Sequence, residues 1–570
     1  MERAIQTLPE CPWSAHYPAG VPGHIDYPAE PAFWLLEEAA RHTPDRVACR
    51  YFNQELTYSM LLEESRRMAA FLRRRGLESG ERVGILLPNV PEYLIALFGA
   101  WMAGGVVVPI NPLMVDEEVG GLIDATQCRV IVCLDVLLPL LKDHRPATVL
   151  VTSLKDRLPW LARQVYKIVR LHRLGFRRQP GGELDLALAL ASAPPEETLR
   201  RPTPEDAAEI LPTGGTTGHP KGVVLTHRNL LANALQVFHW NQRPIGKDVM
   251  LACLPFFHSY GLTVCGLSGI AMSATLVMHH RFRSTHILQL MERTRPTLVP
   301  AVPAMLAAFN RVLRNRSYDL KSVEAVISGG APLPPDVAEE FAKHTGAVVV
   351  EGYGLSEASP VTHVGPLDGN ARPGTIGIPL PDTEALVVDA ETGNEELPPG
   401  QVGELIIRGP QVMAGYWNDP EATAVALRDG WLYTGDLASR DEDGFFKIVD
   451  RKKDLIITSG FNVYPTDVET VLRQFPGIED IAIFGVPDAV RGELVKAVVV
   501  PADPAKFSHR AFEDYAKHHL EVHRRPRVVE VVPGPLPRNP LGKLLRRVLR
   551  EQFPDNTPHH DHSPAEHPGG

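Results

Sequence analysis

A loop rich in glycine and threonine is the first stretch of the chain whose residues point to a definite chemistry. It lies within Leu211–Val223, LPTGGTTGHPKGV. Glycine lets a backbone fold back so that its N–H groups converge, and such concavities bind anions. Threonine hydroxyls add donors, and a lysine adds positive charge. The pattern predicts a phosphate-binding loop between two strands, formed by Thr213, Gly214, Gly215, Thr216, Thr217, Gly218 and Lys221.

This loop differs from a Walker A motif, which needs Gly-Lys-Ser/Thr at the start of a helix. Here Pro220 precedes Lys221, and Gly222 follows it. Taken alone, the stretch is also compatible with a glycine-rich surface turn, so its interpretation depends on the other motifs of the chain.

Three motifs downstream carry further candidate groups. LPFFHSYG, from Leu254, ends an apolar run with His258, and we expect a strand that delivers an imidazole to a site. An isolated histidine in such a run is more often structural. ISGGAPLP, from Ile327, offers Gly330, Ala331 and Pro332, small residues against which a flat ring can lie.

The third motif is EGYGLSEASP, at Glu351–Pro360. Tyr353 offers a stacking face, Ser356 a hydroxyl group, and Glu357 a hard oxygen ligand suited to Mg²⁺. Taken alone, its Tyr-Gly pair is equally compatible with a simple turn.

Three further motifs lie toward the C-terminus. GWLYTGDL contains Asp436, which can accept two hydrogen bonds, as a ribose diol donates them. DRKKDLIITSGFNVYP begins at Asp450, and PRNPLGKLLRR places Lys543 after a glycine in a tight turn.

Together and in this order, the motifs resemble those of the adenylate-forming superfamily, which includes acyl-CoA synthetases, luciferases and the adenylation domains of peptide synthetases. The resemblance covers roughly residues 30–550. Two positions depart from the family pattern: Gly214 replaces the usual serine of the phosphate loop, and Ser356 stands where threonine is commoner. The first departure removes a hydroxyl and predicts slower adenylation, whereas the second keeps one.

The resemblance implies an ATP-dependent reaction in two steps, with Mg²⁺ as cofactor and coenzyme A as co-substrate. A carboxylate attacks the α-phosphate of ATP to give acyl-AMP, and the thiol of coenzyme A then displaces AMP. It implies catalytic roles for Lys543, His258 and Glu357, and a metal site at Thr216 and Glu357. The implied ATP and AMP contacts, beyond the phosphate loop, are Gly330, Ala331, Pro332, Glu351, Gly352, Tyr353, Gly354, Ser356, Asp436, Ile448 and Arg451.

The second step implies other residues. Lys453 matches the family's hinge position, about which a small C-terminal domain rotates. That rotation removes the Lys543 loop and brings in Ser459, Gly460 and Phe461 for coenzyme A.

The elements that position these residues follow from hydrophobic periodicity and from the spacing of glycine and proline. Helices are predicted over 33–41, 59–75 and 91–103, and strands over 47–52 and 83–87. The alternation predicts an α/β fold, with a large N-terminal domain of stacked α/β subdomains and a small mobile C-terminal α+β domain. We expect an N-terminal extension (1–30), an adenylation domain (31–450), the mobile domain (451–550) and a disordered tail (551–570).

Composition bounds the possible functions. The chain has 570 residues, of which 44% are hydrophobic and 22% charged, and its formal net charge is −10. That length predicts at least two domains, and the acidic balance argues against a nucleic-acid partner. The six cysteines show no CxxC or metal spacing and predict free thiols in a reducing compartment. The start of the chain lacks a signal-peptide pattern. The uncharged stretch Tyr93–Pro112 is interrupted by glycines and predicts a buried helix and strand rather than a membrane span.

A basic and aromatic insert, Lys155–Arg178, stands out between the motifs. On a helical wheel Leu161, Val165 and Ile168 share one side, with basic residues opposite. The pattern fits a helix on an anionic membrane surface and equally a helix packed on its own domain with a solvated basic face. The predicted location is therefore the cytoplasm, with peripheral contact at the inner face of the membrane left open.

Within the family, the insert and the DRKKDLIITSGFNVYP run resemble bacterial long-chain fatty-acid–CoA ligases. The alternatives are a medium-chain or aromatic-acid CoA ligase, an enzyme that loads a carrier protein, and a non-catalytic protein that keeps the fold. The joint presence of Lys221, Glu357, Asp436, Arg451 and Lys543 argues against the last. Homodimer formation is left open.

Overall fold

Strands and helices alternate along the chain, as predicted. The computed structural model describes residues 11–141, 144–157, 182–195, 201–213, 221–488, 490–539 and 542–554. The predicted tail (551–570) falls mostly outside these residues, as does nearly all of the basic insert.

Helices occur in both halves of the described chain. Those of the first half are α1 Trp34–His42, α2 Tyr58–Arg74, α3 Pro91–Met102, α4 Asp116–Thr126, α5 Leu186–Ser192 and α6 His227–Asn241. The later ones are α7 Ser268–Ala271, α8 Ser284–Thr294, α9 Pro303–Leu313, α10 Pro335–Thr345, α11 Pro420–Ala426, α12 Pro465–Leu472, α13 His509–His519 and α14 Arg546–Gln552. The first three lie within one residue of their predicted bounds. Helix α2 begins one residue early because the side chain of Thr57 caps it, accepting the N–H of Met60 at 3.2 Å.

The strands of the first half of the chain are β1 Val47–Tyr51, β2 Gln54–Thr57, β3 Arg82–Leu86, β4 Val106–Pro109, β5 Cys128–Leu134, β6 Thr148–Thr152, β7 Leu184–Asp185, β8 Ala207–Thr213, β9 Lys221–Thr226, β10 Val249–Ala252 and β11 Thr275–Met278. Those that follow, up to residue 451, are β12 Leu298–Ala301, β13 Ala325–Ser328, β14 Val348–Gly354, β15 Val361–Val364, β16 Ile378–Pro379, β17 Glu384–Val388, β18 Gly403–Arg408, β19 Gly415–Tyr416, β20 Leu427–Arg428, β21 Trp431–Arg440 and β22 Phe446–Arg451. The last are β23 Ile456–Thr458, β24 Phe461–Val463, β25 Ile478–Asp488, β26 Gly492–Pro501 and β27 Val528–Val531.

Two large sheets share one hydrophobic core. The first has the strand order β16-β15-β14-β13-β12-β10-β11-β1-β2, and the second has the order β19-β9-β8-β4-β3-β5-β6-β7. Both are parallel at their centre; the first is antiparallel at both edges, and the second only at the β19-β9-β8 edge, since β7 pairs parallel with β6. Every residue of α3 is buried, as expected for a helix that is apolar all round. A third sheet, β17-β18-β21-β20 with β22 beside β21, completes this part of the chain.

The C-terminal unit, residues 456–554, has a separate sheet. Its order is β24-β23-β26-β25, with β27 beside β26. Two apolar clusters cover this sheet, one of them including Phe512 of α13 and the other Leu549 of α14. A large α/β part followed by a small α+β unit is thus confirmed as the fold class, while the domain boundaries stay predictions.

The uncharged stretch Tyr93–Pro112 contains most of α3, a turn and β4. Within the described part of the chain, none of the helices combines the length and the apolar character that a membrane span needs. The six cysteines are free, and four of them are buried.

Candidate active site

The predicted phosphate loop sits at the tip of a hairpin. Strands β8 and β9 pair antiparallel, with Thr213 opposite Lys221, and the Thr213 hydroxyl donates to the Lys221 carbonyl at 3.1 Å. The strand–loop–strand prediction is therefore confirmed for the flanking strands. The loop itself, residues 214–220, lies outside the described residues, so Gly214, Gly215, Thr216, Thr217 and Gly218 stay predictions, including the metal role of Thr216.

Lys221 and Glu357 meet through Tyr416. Strand β19 pairs with β9 and sets Tyr416 opposite Val223. The Lys221 Nζ lies 4.9 Å from the centre of the Tyr416 ring, and the Tyr416 hydroxyl donates to Glu357 Oε1 at 2.9 Å. The structure thus brings the predicted phosphate lysine and the predicted magnesium carboxylate to the same edge of the second sheet.

Asp436 and Arg451 lie opposite each other on β21 and β22. The buried Asp436 carboxylate accepts the Tyr353 hydroxyl at 2.6 Å through Oδ2, and the Arg451 Nε lies 3.2 Å from Oδ1. Each carboxylate oxygen can accept more than one hydrogen bond, so a diol can still be bound. Ile448 lies on the same strand as Arg451, opposite Ala438.

Lys543 reaches this region from the C-terminal unit. Its backbone N–H donates to Asn539 Oδ1 at 2.8 Å, and its carbonyl accepts the Asn539 N–H at 2.9 Å. Gly542 has a φ of +83°, and a Cβ there would lie 3.1 Å from Cβ of Ala304, so the turn rests against α9. Burial, with Arg451 next in importance, lowers the pKa of Lys543 to about 8.

His258 is a neutral hydrogen-bond donor in this setting. Burial and then the charge of Lys543 lower the pKa of His258 to about 4. Its Nδ1 accepts the backbone N–H of Tyr260 at 3.2 Å, which leaves the ring proton on Nε2. A neutral imidazole with a proton on Nε2 can donate to a carboxylate without exchanging its own proton.

The strand predicted to deliver His258 is wrong in its extent, because β10 ends at Ala252. The cause is Asn89, a buried residue that follows β3. Its Nδ2 donates to the carbonyls of Ala252 at 3.1 Å and Leu254 at 2.7 Å, and its Oδ1 accepts the N–H of Phe256 at 2.9 Å. One side chain therefore takes the hydrogen bonds that a neighbouring strand would otherwise make, and it positions the segment before His258.

The glycine-rich ends of β13 and β14 lie side by side in the first sheet. A Cβ on Gly354 would lie 2.1 Å from the Pro360 carbonyl oxygen, so that position requires glycine, and a Cβ on Gly352 would approach the Ile327 side chain to 3.1 Å, a tight contact. Glu351 Oε2 accepts the N–H of Leu333 at 3.1 Å, and burial raises the pKa of Glu351 to about 8. This bond fixes the Gly330–Ala331–Pro332 loop against β14.

Ser459 and Gly460 form the turn between β23 and β24, with φ of 51° and 81°. Phe461 is 55% exposed and stacks on His523, with ring centres 4.6 Å apart. Beside this pair is a groove of about 340 Å³ whose lining includes three arginines. They are Arg491, Arg525 and Arg527. Like-charged side chains grouped in a groove favour an anionic ligand.

The predicted hinge residue, Lys453, is exposed and lies in a short 3₁₀ turn between two fixed residues. Arg451 pairs with Asp436 on one side, and the buried Asp454 follows on the other. Asp454 lies 3.2 Å from Arg550 and 3.9 Å from Arg546, both on α14. Asp454 is thus tied to the helix that begins three residues after Lys543.

Asn89 and Tyr416 are the functional candidates that the sequence did not reveal. Asn89 looks like a turn residue, and Tyr416 lies in an aromatic pair without charge or metal-ligand character. Only the pairing of distant segments shows what they contact.

Comparisons with known proteins bear on the whole chain. Residues 36–417 match the model of the family described as AMP-binding enzyme, and residues 467–543 match that of the AMP-binding enzyme C-terminal domain. A protein of Bacillus subtilis (strain 168) named long-chain-fatty-acid–CoA ligase is 39% identical over 557 residues, which cover 96% of this chain and 99% of that one. A feruloyl-CoA synthase of Amycolatopsis sp is 36% identical over 518 residues, covering 90% and 97%.

Among solved structures, ATP-bound MatB from Rhodopseudomonas palustris superposes with a TM-score of 0.81. It is 31% identical, and the match covers 92% of this chain and 99% of that one. The structural match therefore includes the C-terminal unit as well as the two large sheets.

Proposed function

Because the chain belongs to the AMP-binding enzyme family, we propose that it is an AMP-forming fatty-acid–CoA ligase that acts on long-chain acids. The observation that carries the proposal is the position of Lys543. The turn that carries Lys543 packs against Ala304 of the large part of the chain, within range of the charges of Arg451 and Asp436 and near enough to lower the pKa of His258. This arrangement suits the joining of a carboxylate to the α-phosphate of ATP.

The first half-reaction brings a carboxylate anion to a polyanion, so it needs positive charge and neutral donors. In our proposal Lys543 bridges the acid and the α-phosphate, and Lys221 accompanies the leaving pyrophosphate. His258 donates its Nε2 proton in a hydrogen bond to the acid, and Asp436 holds the ribose. Removal of one such preorganised charge commonly costs about 3–4 kcal/mol of barrier, or roughly 10²–10³ in rate.

Glu357 fits the binding of Mg²⁺. The Tyr416 hydroxyl orients its carboxylate, and the Lys221 Nζ lies 4.9 Å from the centre of the same ring. No group of three or more His, Cys, Asp or Glu side chains that could hold a metal occurs in the part of the chain that the structure describes. This suits an ion held by one carboxylate together with substrate phosphates. When bound, Mg²⁺ would neutralise part of the negative charge of the substrate phosphates.

The second half-reaction needs a path for the thiol of coenzyme A. We place that path at Gly460, where the left-handed turn offers no side chain. The groove beside Phe461 and its three arginines suit the phosphates of coenzyme A. Lys453 serves as the hinge that exchanges the Lys543 turn for this surface.

Long-chain acids are favoured because the Bacillus subtilis relative named long-chain-fatty-acid–CoA ligase is matched over almost its whole length. An aromatic acid remains the alternative, supported by the feruloyl-CoA synthase relative. A carrier-protein acceptor, a homodimer and peripheral membrane contact through residues 155–178 stay predictions. The cytoplasm stays the predicted location.

The test is pyrophosphate release with ATP and Mg²⁺ across saturated acids from acetate to stearate and with ferulate, each with and without coenzyme A. Activity that rises with chain length and yields an acyl-CoA supports the proposal. Activity limited to ferulate or short acids overturns the long-chain assignment but keeps the reaction. The Lys543→Ala variant is the matched control, and it should release no pyrophosphate with any acid.

A further inference from the structure

Residues 11–30 form a strap that crosses the surface of the large part of the chain. We refer to them as the N-terminal strap. The Tyr17 hydroxyl donates to the Pro379 carbonyl at 2.9 Å. Asp382 accepts the backbone N–H of Ile25 at 2.9 Å and the hydroxyl of Tyr27 at 2.8 Å. The strap is therefore anchored to the segment between β16 and β17.

The strap inserts one large side chain, Trp13, into the core, where it is 1% exposed. Gly444 makes room for it, because a Cβ at that position would lie 3.0 Å from Cβ of Trp13. The indole packs edge-on against Phe446, with ring centres 6.0 Å apart. Phe446 is the first residue of β22, the strand that ends with Arg451.

From Phe446 the aromatic contacts continue to the proposed nucleotide site. Phe446 packs edge-on against His363 at 4.7 Å, and His363 packs edge-on against Tyr353 at 5.9 Å. Tyr353 lies opposite His363 in the β14–β15 pair and donates its hydroxyl to Asp436 at 2.6 Å. We call Trp13, Phe446, His363 and Tyr353 the aromatic row.

His363 shows how closely the row is packed. It is fully buried, and its Nε2 has no hydrogen-bond partner among the described residues. Its Nδ1 lies 2.9 Å from the hydroxyl of Thr362. Because only this one nitrogen is fixed by a hydrogen bond, the ring depends on Phe446 and Tyr353 for its orientation.

We propose that Trp13 is a positioning residue for the ATP site, acting through the aromatic row on Tyr353 and Asp436. This inference rests on the proposed function, since it assigns Asp436 to the ribose. Loss of the indole leaves a space beside Phe446 into which the row can relax. The Tyr353 hydroxyl then no longer holds the Asp436 carboxylate in one orientation, which weakens nucleotide binding and leaves the acid site untouched.

The test compares Trp13→Ala and Trp13→Phe with the full-length wild type, well below their unfolding midpoints. We expect Trp13→Ala to raise KM for ATP and Kd for AMP by about three- to tenfold, within the range for loss of one aromatic pair. KM for the acid and kcat should change less than about twofold. Trp13→Phe keeps a ring, so its KM for ATP and its Kd for AMP should lie between those of the wild type and Trp13→Ala.

Tyr27→Phe is the matched control, because it removes an anchor of the strap at Asp382 but no ring of the row. It should lower the unfolding midpoint and leave KM for ATP unchanged. Equal changes in both KM values for Trp13→Ala, or a lower midpoint with unchanged AMP affinity, would show that Trp13 is merely structural. If Trp13→Ala does not fold, the AMP affinity of Trp13→Phe decides, and a wild-type value overturns the proposal.

Calorimetric binding of AMP also separates this inference from the proposed function. A wild type that binds AMP but activates no acid would contradict the ligase assignment and leave the Trp13 comparison valid. A wild type that activates acids while Trp13→Ala binds AMP normally would contradict only the role of Trp13.

Discussion

The lowered pKa of Lys543 makes the first half-reaction sensitive to pH in an accessible range. Only the protonated amine carries the charge that offsets the approach of two anions. With a pKa of about 8, the amine is largely protonated at neutral pH and about 3% protonated at about pH 9.5. We therefore expect kcat/KM for adenylation to fall roughly 30-fold over that interval, since this parameter reports the free enzyme.

On the acidic side, the protonation state of His258 determines the pH dependence of the rate. His258, whose pKa burial and Lys543 lower to about 4, is neutral and already a donor above about pH 5. The rate should thus be flat from about pH 5 to neutrality and decline only on the alkaline side. A histidine with its ordinary pKa would instead change its charge between about pH 5 and neutrality, and the rate would change with it.

The assay is pyrophosphate release at low ATP across the pH range, with two controls. Lys543→Arg keeps its charge at alkaline pH. Its rate should therefore be lower than that of the wild type at every pH but should not decline on the alkaline side. Thioester formation from supplied acyl-adenylate should keep its activity in Lys543→Ala, whose adenylation is abolished. A wild-type kcat/KM that stays level to about pH 9.5, or an equal alkaline loss in Lys543→Arg, would refute the assignment.

Three further variants probe other parts of the site. Gly460→Leu should leave adenylation intact and slow thioester formation by about 10²-fold or more. Gly460→Ala is its control, because it has the same backbone strain without the bulk. Normal thioester formation in the leucine variant would rule out a thiol path at Gly460. Asn89→Ala should lower kcat for adenylation and reduce the free energy of unfolding by about 2–4 kcal/mol, because buried backbone groups lose their partners; urea unfolding with a wild-type midpoint would contradict this. Tyr416→Phe should raise the Mg²⁺ concentration for half-maximal rate about tenfold, as the Glu357 carboxylate loses a bond of about 1.5 kcal/mol, and an unchanged Mg²⁺ titration would exclude that orienting role.

The elements of the fold could be predicted because their signals are local. Helix α3 begins at a proline and ends before a glycine pair, and its bounds follow from those residues. The hairpin around the phosphate loop could be predicted for the same reason. The strand before His258 could not, because Asn89 on another segment decides where its hydrogen bonds go.

The candidate site likewise contains residues that the sequence reveals and residues that it does not. Lys221, Glu357, Asp436, Arg451 and Lys543 have side chains whose chemistry is evident from their type and neighbours. The residues that support them are asparagines and aromatics of ordinary appearance, and their roles depend on contacts with distant segments of the chain. Trp13 is the extreme case, since a tryptophan in a Pro- and Gly-rich segment gives no indication that it lies beneath β22.

The ion pairs of Asp454 have a mechanical consequence. Arg451 and Lys452 are held to the large part of the chain through Asp436 and Glu404, whereas Asp454 is clamped to α14. The predicted rotation of the C-terminal unit would therefore have its joint at the backbone of Lys453, between these two sets of ion pairs. With so short a joint, we expect Lys543 and the Ser459 turn to move together as parts of one rigid body, so that one predicted surface would arrive as the other leaves.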